Sequence, residues 1–322
     1  MSLLEFQGVE RRFPVRRGLL DALLRREHVW LHAVRGVDLG VRPGEILGIV
    51  GESGCGKSTL ARIGIGLQPA DAGAVIFDGA PLKGPDPKGR LQMVFQDPYS
   101  SLNPRMTIGA QLEEVVAHYR PGLTRAERQG RVARMLDEVG LVQETAQKFP
   151  HALSGGQRQR VSIARALCPD PQVLIADEPV SALDASVQAQ IINLLRRLNR
   201  EKGLTIVFIS HDMNVVRYLC DRVAVMYLGE VVELNDSAAL FAEPRHPYTR
   251  ALIGAVPDVH HPHREGLPVR GEIPDPFAVL QGCRFAPRCP LAEIACHRPQ
   301  SLDALASGGA VRCWKAVSGT LS

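Results

Sequence analysis

The sequence has no apolar stretch long enough to cross a bilayer: its longest runs, such as Leu204 to Ile209 and Val223 to Leu228, are of strand length. A membrane-spanning helix needs roughly 18 to 20 such residues. Charge of one sign is also lacking, since 38 Lys and Arg stand against 34 Asp and Glu in 322 residues, a formal net charge of +4. Apart from short basic pairs such as Arg16-Arg17 and Arg25-Arg26 the charge is spread along the chain, which argues against a nucleic-acid partner. The opening Met1-Ser2-Leu3-Leu4-Glu5 lacks the basic region, apolar segment and small-residue cleavage site of a secretory signal, so the expectation is a cytosolic chain. No internal repeat at solenoid spacing occurs. What the chain does have is 45% apolar residues, enough at this length for a sizeable core, and that excludes disorder of the whole.

Short β-rich runs alternate with helical patterns: Ile46 to Val50, Leu91 to Phe95, Val173 to Ala176, Leu204 to Ile209 and Val223 to Leu228. This predicts an α/β domain around a mainly parallel, buried sheet. The stretches Gly109 to His118 and Arg120 to Glu138 predict helices of a separate helical subdomain, about residues 97–165. From Glu243 to Pro276 the texture turns to Pro, His and Gly. A boundary is therefore drawn near residue 240, with 1–240 as the main domain and 241–322 as a C-terminal extension.

The segment Gly51-Glu52-Ser53-Gly54-Cys55-Gly56-Lys57-Ser58 fits G-x-x-x-x-G-K-[ST] between a strand and a helical stretch beginning at Thr59. Glycines let the backbone curl so that successive N–H groups point at phosphate oxygens, and the helix N-terminus adds its dipole. Lys57 would reach the β- and γ-phosphates, Ser58 would ligate Mg²⁺ and Thr59 would touch the α-phosphate; a chance glycine-rich turn is the bland alternative. Val173 to Ala176 ends in Asp177-Glu178, and two acids at a buried strand end are expensive unless something positive sits there. Read alone they are more often a turn or a helix cap. Beside a phosphate loop, Asp177 would hold the Mg²⁺ and Glu178 would orient and deprotonate the attacking water.

Between these elements stands Leu153-Ser154-Gly155-Gly156-Gln157, ahead of a helical run from Arg158 to Leu167. Alone it is a helix N-cap. In this position it resembles the signature of the ABC ATPase family, and the resemblance covers the whole chain. It implies a P-loop NTPase fold of the ABC type: a RecA-like parallel-sheet core, an antiparallel β subdomain and a helical subdomain, with a Cys-containing extension. It also implies that ATP is held between the phosphate loop of one chain and Ser154, Gly155, Gly156 and Gln157 of a partner. Gln96 resembles the glutamine that contacts Mg²⁺ and water, Asp184 within Ser181-Ala182-Leu183-Asp184 the acid bridging two sites, and His211 the switch histidine on the γ-phosphate. Phe13 best matches the aromatic that stacks on adenine, although His32 lies nearer the loop and Phe13 also fits core packing.

The wording Gly51 to Leu60, Phe95 to Pro104, Ala176 to Asp184 and His246 to Leu252 looks like the oligopeptide/dipeptide importer ATPases, and the longer loop Pro14 to His32 like the second of their two paired ATPases. The resemblance implies an ATP-hydrolysing subunit powering peptide import, in a heterodimer with another ATPase. It implies two permease subunits, an extracytoplasmic binding protein and a place on the cytoplasmic face of the cell membrane. Nickel or haem as cargo, or a soluble non-transport ATPase, are the alternatives; the last needs a coiled-coil insertion or a second ATPase domain, and the sequence has neither. Of seven cysteines, Cys55, Cys168 and Cys220 are scattered, while Cys283, Cys289, Cys296 and Cys313 crowd the end of the chain. Their spacing lacks the short C-x₂₋₄-C knuckles of structural zinc. Four thiolates suit a [4Fe–4S] cluster, some relatives resembling this chain carry one, and zinc or free packed cysteines are the alternatives.

Overall fold

The computed structural model describes residues 2–15, 29–255, 267–272, 274, 277 and 281–320. The strands, in chain order, are β1 (Leu4–Val15), β2 (Val29–Val41), β3 (Ile46–Val50), β4 (Ala72–Phe77), β5 (Ala80–Pro81), β6 (Leu91–Val94), β7 (Val173–Asp177), β8 (Thr205–Ser210), β9 (Arg222–Tyr227), β10 (Glu230–Asp236), β11 (Asp303–Ala304) and β12 (Ala310–Val311). They form two sheets. A four-stranded antiparallel sheet has the order β2-β1-β4-β5, and an eight-stranded sheet has the order β11-β12-β10-β9-β3-β8-β7-β6. In the larger sheet β9, β3, β8, β7 and β6 run parallel, and β10 and β12 are added antiparallel at one edge.

The central strands are buried on both faces because their residues are apolar at odd and even positions alike. In β8, Ile206 and Phe208 enter one core while Val207 and Ile209 enter the other; in β3, Val50 and Ile49 divide in the same way. The core containing Ile49 also holds Leu4, Phe6 and Leu39 of the small sheet and Leu60 of helix Lys57–Gly64. The opposite core gathers helices Ile108–Tyr119, Arg125–Glu138, Gly155–Leu167 and Ala185–Lys202, through residues such as Leu112, Leu136, Ile163 and Leu195.

Several expectations shift at their edges, among them that helices read from Thr59 and Arg158 begin at Lys57 and Gly155. The helix read from Arg120 begins at Arg125, because Thr124 caps it: its hydroxyl accepts from the Glu127 N–H at 3.3 Å and the Glu127 carboxylate accepts from the Thr124 N–H at 2.8 Å. The loop read from Pro14 to His32 is strand at both ends, with Pro14 paired to Trp30 and Arg12 to His32; its middle, 16–28, lies outside the described residues. Residue 240 falls inside helix Ser237–Ala242. Strand β12 pairs with β10, so the sheet that begins at β3 takes its last strands from the extension.

Candidate functional site

The loop between β3 and helix Lys57–Gly64 threads past two backbone carbonyls. Gly51 has φ +155°, and a Cβ there would sit 2.2 Å from the Met226 carbonyl oxygen; Gly56 has φ +106°, and a Cβ would sit 2.1 Å from the Ala33 carbonyl oxygen. Only glycine satisfies both the space and the dihedral. The curl brings Lys57 to the floor of the loop, 5% exposed, where its Nζ donates to the Gly51 carbonyl at 2.8 Å and the Glu52 carbonyl at 3.0 Å. One residue on, the Ser58 hydroxyl donates to Asp177 Oδ1 at 2.9 Å.

Asp177 ends β7 and is 2% exposed. Burial holds its pKa above the ordinary carboxylate value; the Ser58 hydroxyl pulls it down and the Glu178 charge pushes it up again. A carboxylate in that state is what a cation relieves, so Asp177 with Ser58 fits a divalent metal by the chemistry of its donors. Glu178 follows at φ +45°, a left-handed conformation costly for a residue with a side chain, pinned by its N–H donating to the Ile209 carbonyl at 3.0 Å. That turn aims its carboxylate at two neighbours. Oε2 accepts from Gln96 Nε2 at 3.4 Å and lies 3.2 Å from His211 Nδ1.

One cleft of about 570 Å³ is lined by Phe13, Ser53, Gly54, Gly56, Lys57, Ser58, Thr59, Gln96, Glu178 and His211. Leu31 and Ala33 line it too, and no motif in the sequence marks them; they come from pairing β2 with β1, which only the fold shows. His32 is not among the lining residues, whereas Phe13 stands at the rim with the Arg11 guanidinium 5.0 Å from its ring centre. Cys55 turns inward instead: it is 3% exposed, and burial pushes its thiol pKa up.

Ser154, Gly155, Gly156, Gln157 and Asp184 do not line the cleft. Ser154 is exposed and caps helix Gly155–Leu167, accepting from the Gln157 N–H at 3.2 Å while the Gln157 side chain accepts from the Ser154 N–H at 3.0 Å. Gly156 seats this helix against the next, since a Cβ there would meet Val187 Cγ1 at 2.4 Å. Asp184 caps helix Ala185–Lys202, and hydrogen bonds from the Ser186 hydroxyl and the Val187 N–H hold its carboxyl below the ordinary value.

All seven cysteines are free thiols. In the extension the Cys283 N–H donates to the Cys296 carbonyl at 2.7 Å, and Cys296 Sγ accepts from Trp314 Nε1 at 3.4 Å. Burial pushes Cys283 up to about 12, with Cys313 and Cys296 adding to the shift, and Cys289 and Cys313 are raised by burial too. The four thiols therefore share one electrostatic neighbourhood. Among the described residues, no group of three or more His, Cys, Asp and Glu side chains is arranged to hold a metal ion, so the tail cysteines as they stand do not form a closed metal site.

Residues 34–181 match the ABC transporter family, and residues 232–296 match the oligopeptide/dipeptide transporter C-terminal region. The chain is 44% identical over 317 residues to the probable D,D-dipeptide transport ATP-binding protein DdpF of Escherichia coli, covering 98% of this chain and 99% of that one. It is 49% identical over 278 residues to the oligopeptide transport ATP-binding protein OppF of Escherichia coli, covering 83% of each. Among solved structures, the dimeric post-hydrolysis state of the ATP-binding cassette MJ0796 with ADP and Pi superposes with a TM-score of 0.63 at 31% identity, over 73% of this chain and 98% of that one.

Proposed function

This chain belongs to the ATP-binding proteins of the oligopeptide/dipeptide ABC transporters, and we propose that its cleft takes Mg-ATP in the manner its side chains suggest, with Glu178 as the base. The chain is an ATPase whose hydrolysis of ATP powers peptide import. The observation that carries the residue assignment is the meeting of Gln96 and His211 on one Glu178 oxygen beside the loop that holds Lys57.

Loop N–H groups of residues 53–59 and the Lys57 ammonium would bind the phosphates, and Phe13 would stack on the base. Ser58, Asp177 and Gln96 would hold Mg²⁺, which supplies positive charge to the phosphate oxygens. Glu178 Oε2 would take the proton of the attacking water, with Gln96 fixing the carboxylate and His211 donating toward the terminal phosphate. The exposed cap of Ser154, Gly155, Gly156 and Gln157, with Asp184 nearby, is suited to an anion on a second ATPase chain, and the partner we favour is a different polypeptide. Two permease subunits and an extracytoplasmic binding protein complete the proposed transporter, with this chain at the cytoplasmic face of the membrane. Residues 1–240 act in this reading as the nucleotide-binding unit and 241–322 as the extension.

Replacing Glu178 with Gln in the assembled transporter is expected to cut turnover by about 10²–10⁴ while Mg-ATP binding persists; hydrolysis at the wild-type rate would reject the base assignment. We further propose that Cys283, Cys289, Cys296 and Cys313 hold a [4Fe–4S] cluster, a reading supported by four thiols that shift one another's titration in one neighbourhood. Anaerobically purified protein should then be brown and carry iron and acid-labile sulfide, and a colourless, iron-free preparation would reject the cluster.

A further inference from the structure

Glu52 sits inside the phosphate loop, yet its contacts run to the far end of the chain. Its backbone N–H donates to the Tyr248 hydroxyl at 2.9 Å, and its carboxylate accepts from Arg288 Nη1 at 2.9 and 3.1 Å. Its carbonyl accepts from Lys57 Nζ at 3.0 Å. One residue thus joins the extension to the lysine at the floor of the cleft.

The supports behind these two contacts are buried and closely packed. Tyr248 is 1% exposed and packs on Tyr227 of β9 with ring centres 4.6 Å apart, and Phe285 lies 5.4 Å from both rings. Helix Pro247–Gly254 is fixed at its start by His246, whose Nδ1 accepts from the Tyr248 N–H at 3.0 Å, and by fully buried Glu233, whose carboxylate accepts from the Arg245 and His246 N–H groups at 2.8 Å each. Arg288 stands on the short turn Ala286–Arg288, with its guanidinium 5.9 Å from the ring centres of Tyr227 and Phe285 and one N–H on the Tyr227 hydroxyl at 3.4 Å. Its charge also faces the only acid in the loop 51–58. An unpaired Glu52 carboxylate would repel an incoming phosphate, and Arg288 neutralises it in a part-buried setting where screening is weak.

We propose that Tyr248 and Arg288 are positioning residues for the phosphate loop, so that the C-terminal extension sets nucleotide affinity by fixing Glu52 and, through its carbonyl, Lys57. This rests on the ATPase reading above. The test measures equilibrium binding of Mg-ATPγS to the full-length chain, together with KM and kcat for ATP in the assembled transporter. Arg288→Met should raise the Kd about tenfold and KM in parallel, with kcat within a factor of two, and Arg288→Lys should recover most of the loss. Glu52→Gln combined with Arg288→Met should be no worse than the poorer single variant, because both remove one interaction. Tyr248→Phe keeps the ring packing and deletes only the hydroxyl, so it carries the test if Arg288→Met fails to fold; a threefold rise in Kd is expected. Wild-type affinity in Arg288→Met and Tyr248→Phe, or effects of Glu52 and Arg288 that multiply in full, would overturn the inference and leave the ATPase reading standing. A wild-type chain that does not take up Mg-ATPγS would overturn that reading itself.

Discussion

The cleft around Lys57 and the corner around Ser154 are both proposed above to meet phosphate, but they are finished to different degrees. In the cleft the lysine, the serine, two buried or half-buried acids, Gln96 and His211 converge from separate strands and loops. At the corner, Ser154 and Gln157 satisfy each other, and Asp184 is satisfied by its own helix. Their carboxylates tell them apart: burial raises the pKa of Asp177, while hydrogen bonds from Ser186 and Val187 lower that of Asp184. The cleft holds an electrostatic cost that a cation can relieve; the corner holds none. In the function proposed above, one is a site in its own right, and the other is half of a site that a second chain would complete.

That division can be broken, and loss of turnover in Glu178→Gln sets the upper end of the scale. Next comes Ser154→Arg, which should cut turnover of the assembled transporter by about 10² and leave Mg-ATP binding by the isolated chain within a factor of two. If the isolated chain lost its nucleotide, Ser154 would belong to the same cleft as Lys57 and the contrast would be wrong. The smallest effect has the opposite sign. Because the native pKa of Asp177 lies above its unfolded value, the folded state holds the extra proton, so this group's contribution to stability falls as pH climbs through the raised pKa and is recovered on acidification. Nucleotide-free Asp177→Asn should therefore melt higher than wild type at pH 7, by roughly 2–4 °C, with the gap closing as pH falls and no stabilisation by Mg-ATP. A variant that melts lower at pH 7 would show that Asp177 is comfortable in the empty cleft.

Much of the cleft was legible because its chemistry is local in sequence: a strand, a glycine loop and a lysine within residues 46–57, and two acids where β7 ends. The strand cores at Ile46–Val50 and Val173–Asp177 fall where apolar runs end in those motifs. The start of the helix at Arg125 was also written in the chain, as Thr124 followed three residues later by Glu127, and helical composition alone carried the reading too far back. The part that was not legible is the tie from Glu52 to Tyr248 and Arg288. These residues lie 196 and 236 positions apart from Glu52, and no spacing rule links them; only the packing of Tyr227, Tyr248 and Phe285 against one another brings them to the loop. Leu31 and Ala33 escaped for the same reason, since β2 reaches the cleft by pairing and not by motif.

The edge pairing of β12 with β10 has a consequence for birth on the ribosome. Val311, which pairs with Glu233 of β10, is made about seventy residues after Leu240, a delay of roughly 4 to 14 s at typical elongation rates. For about the first fifty residues of that interval the emerging polypeptide owns the lysine and both acids but not Arg288, so in the reading proposed above a nascent chain should grip nucleotide poorly until the segment carrying Arg288 has been translated and has docked.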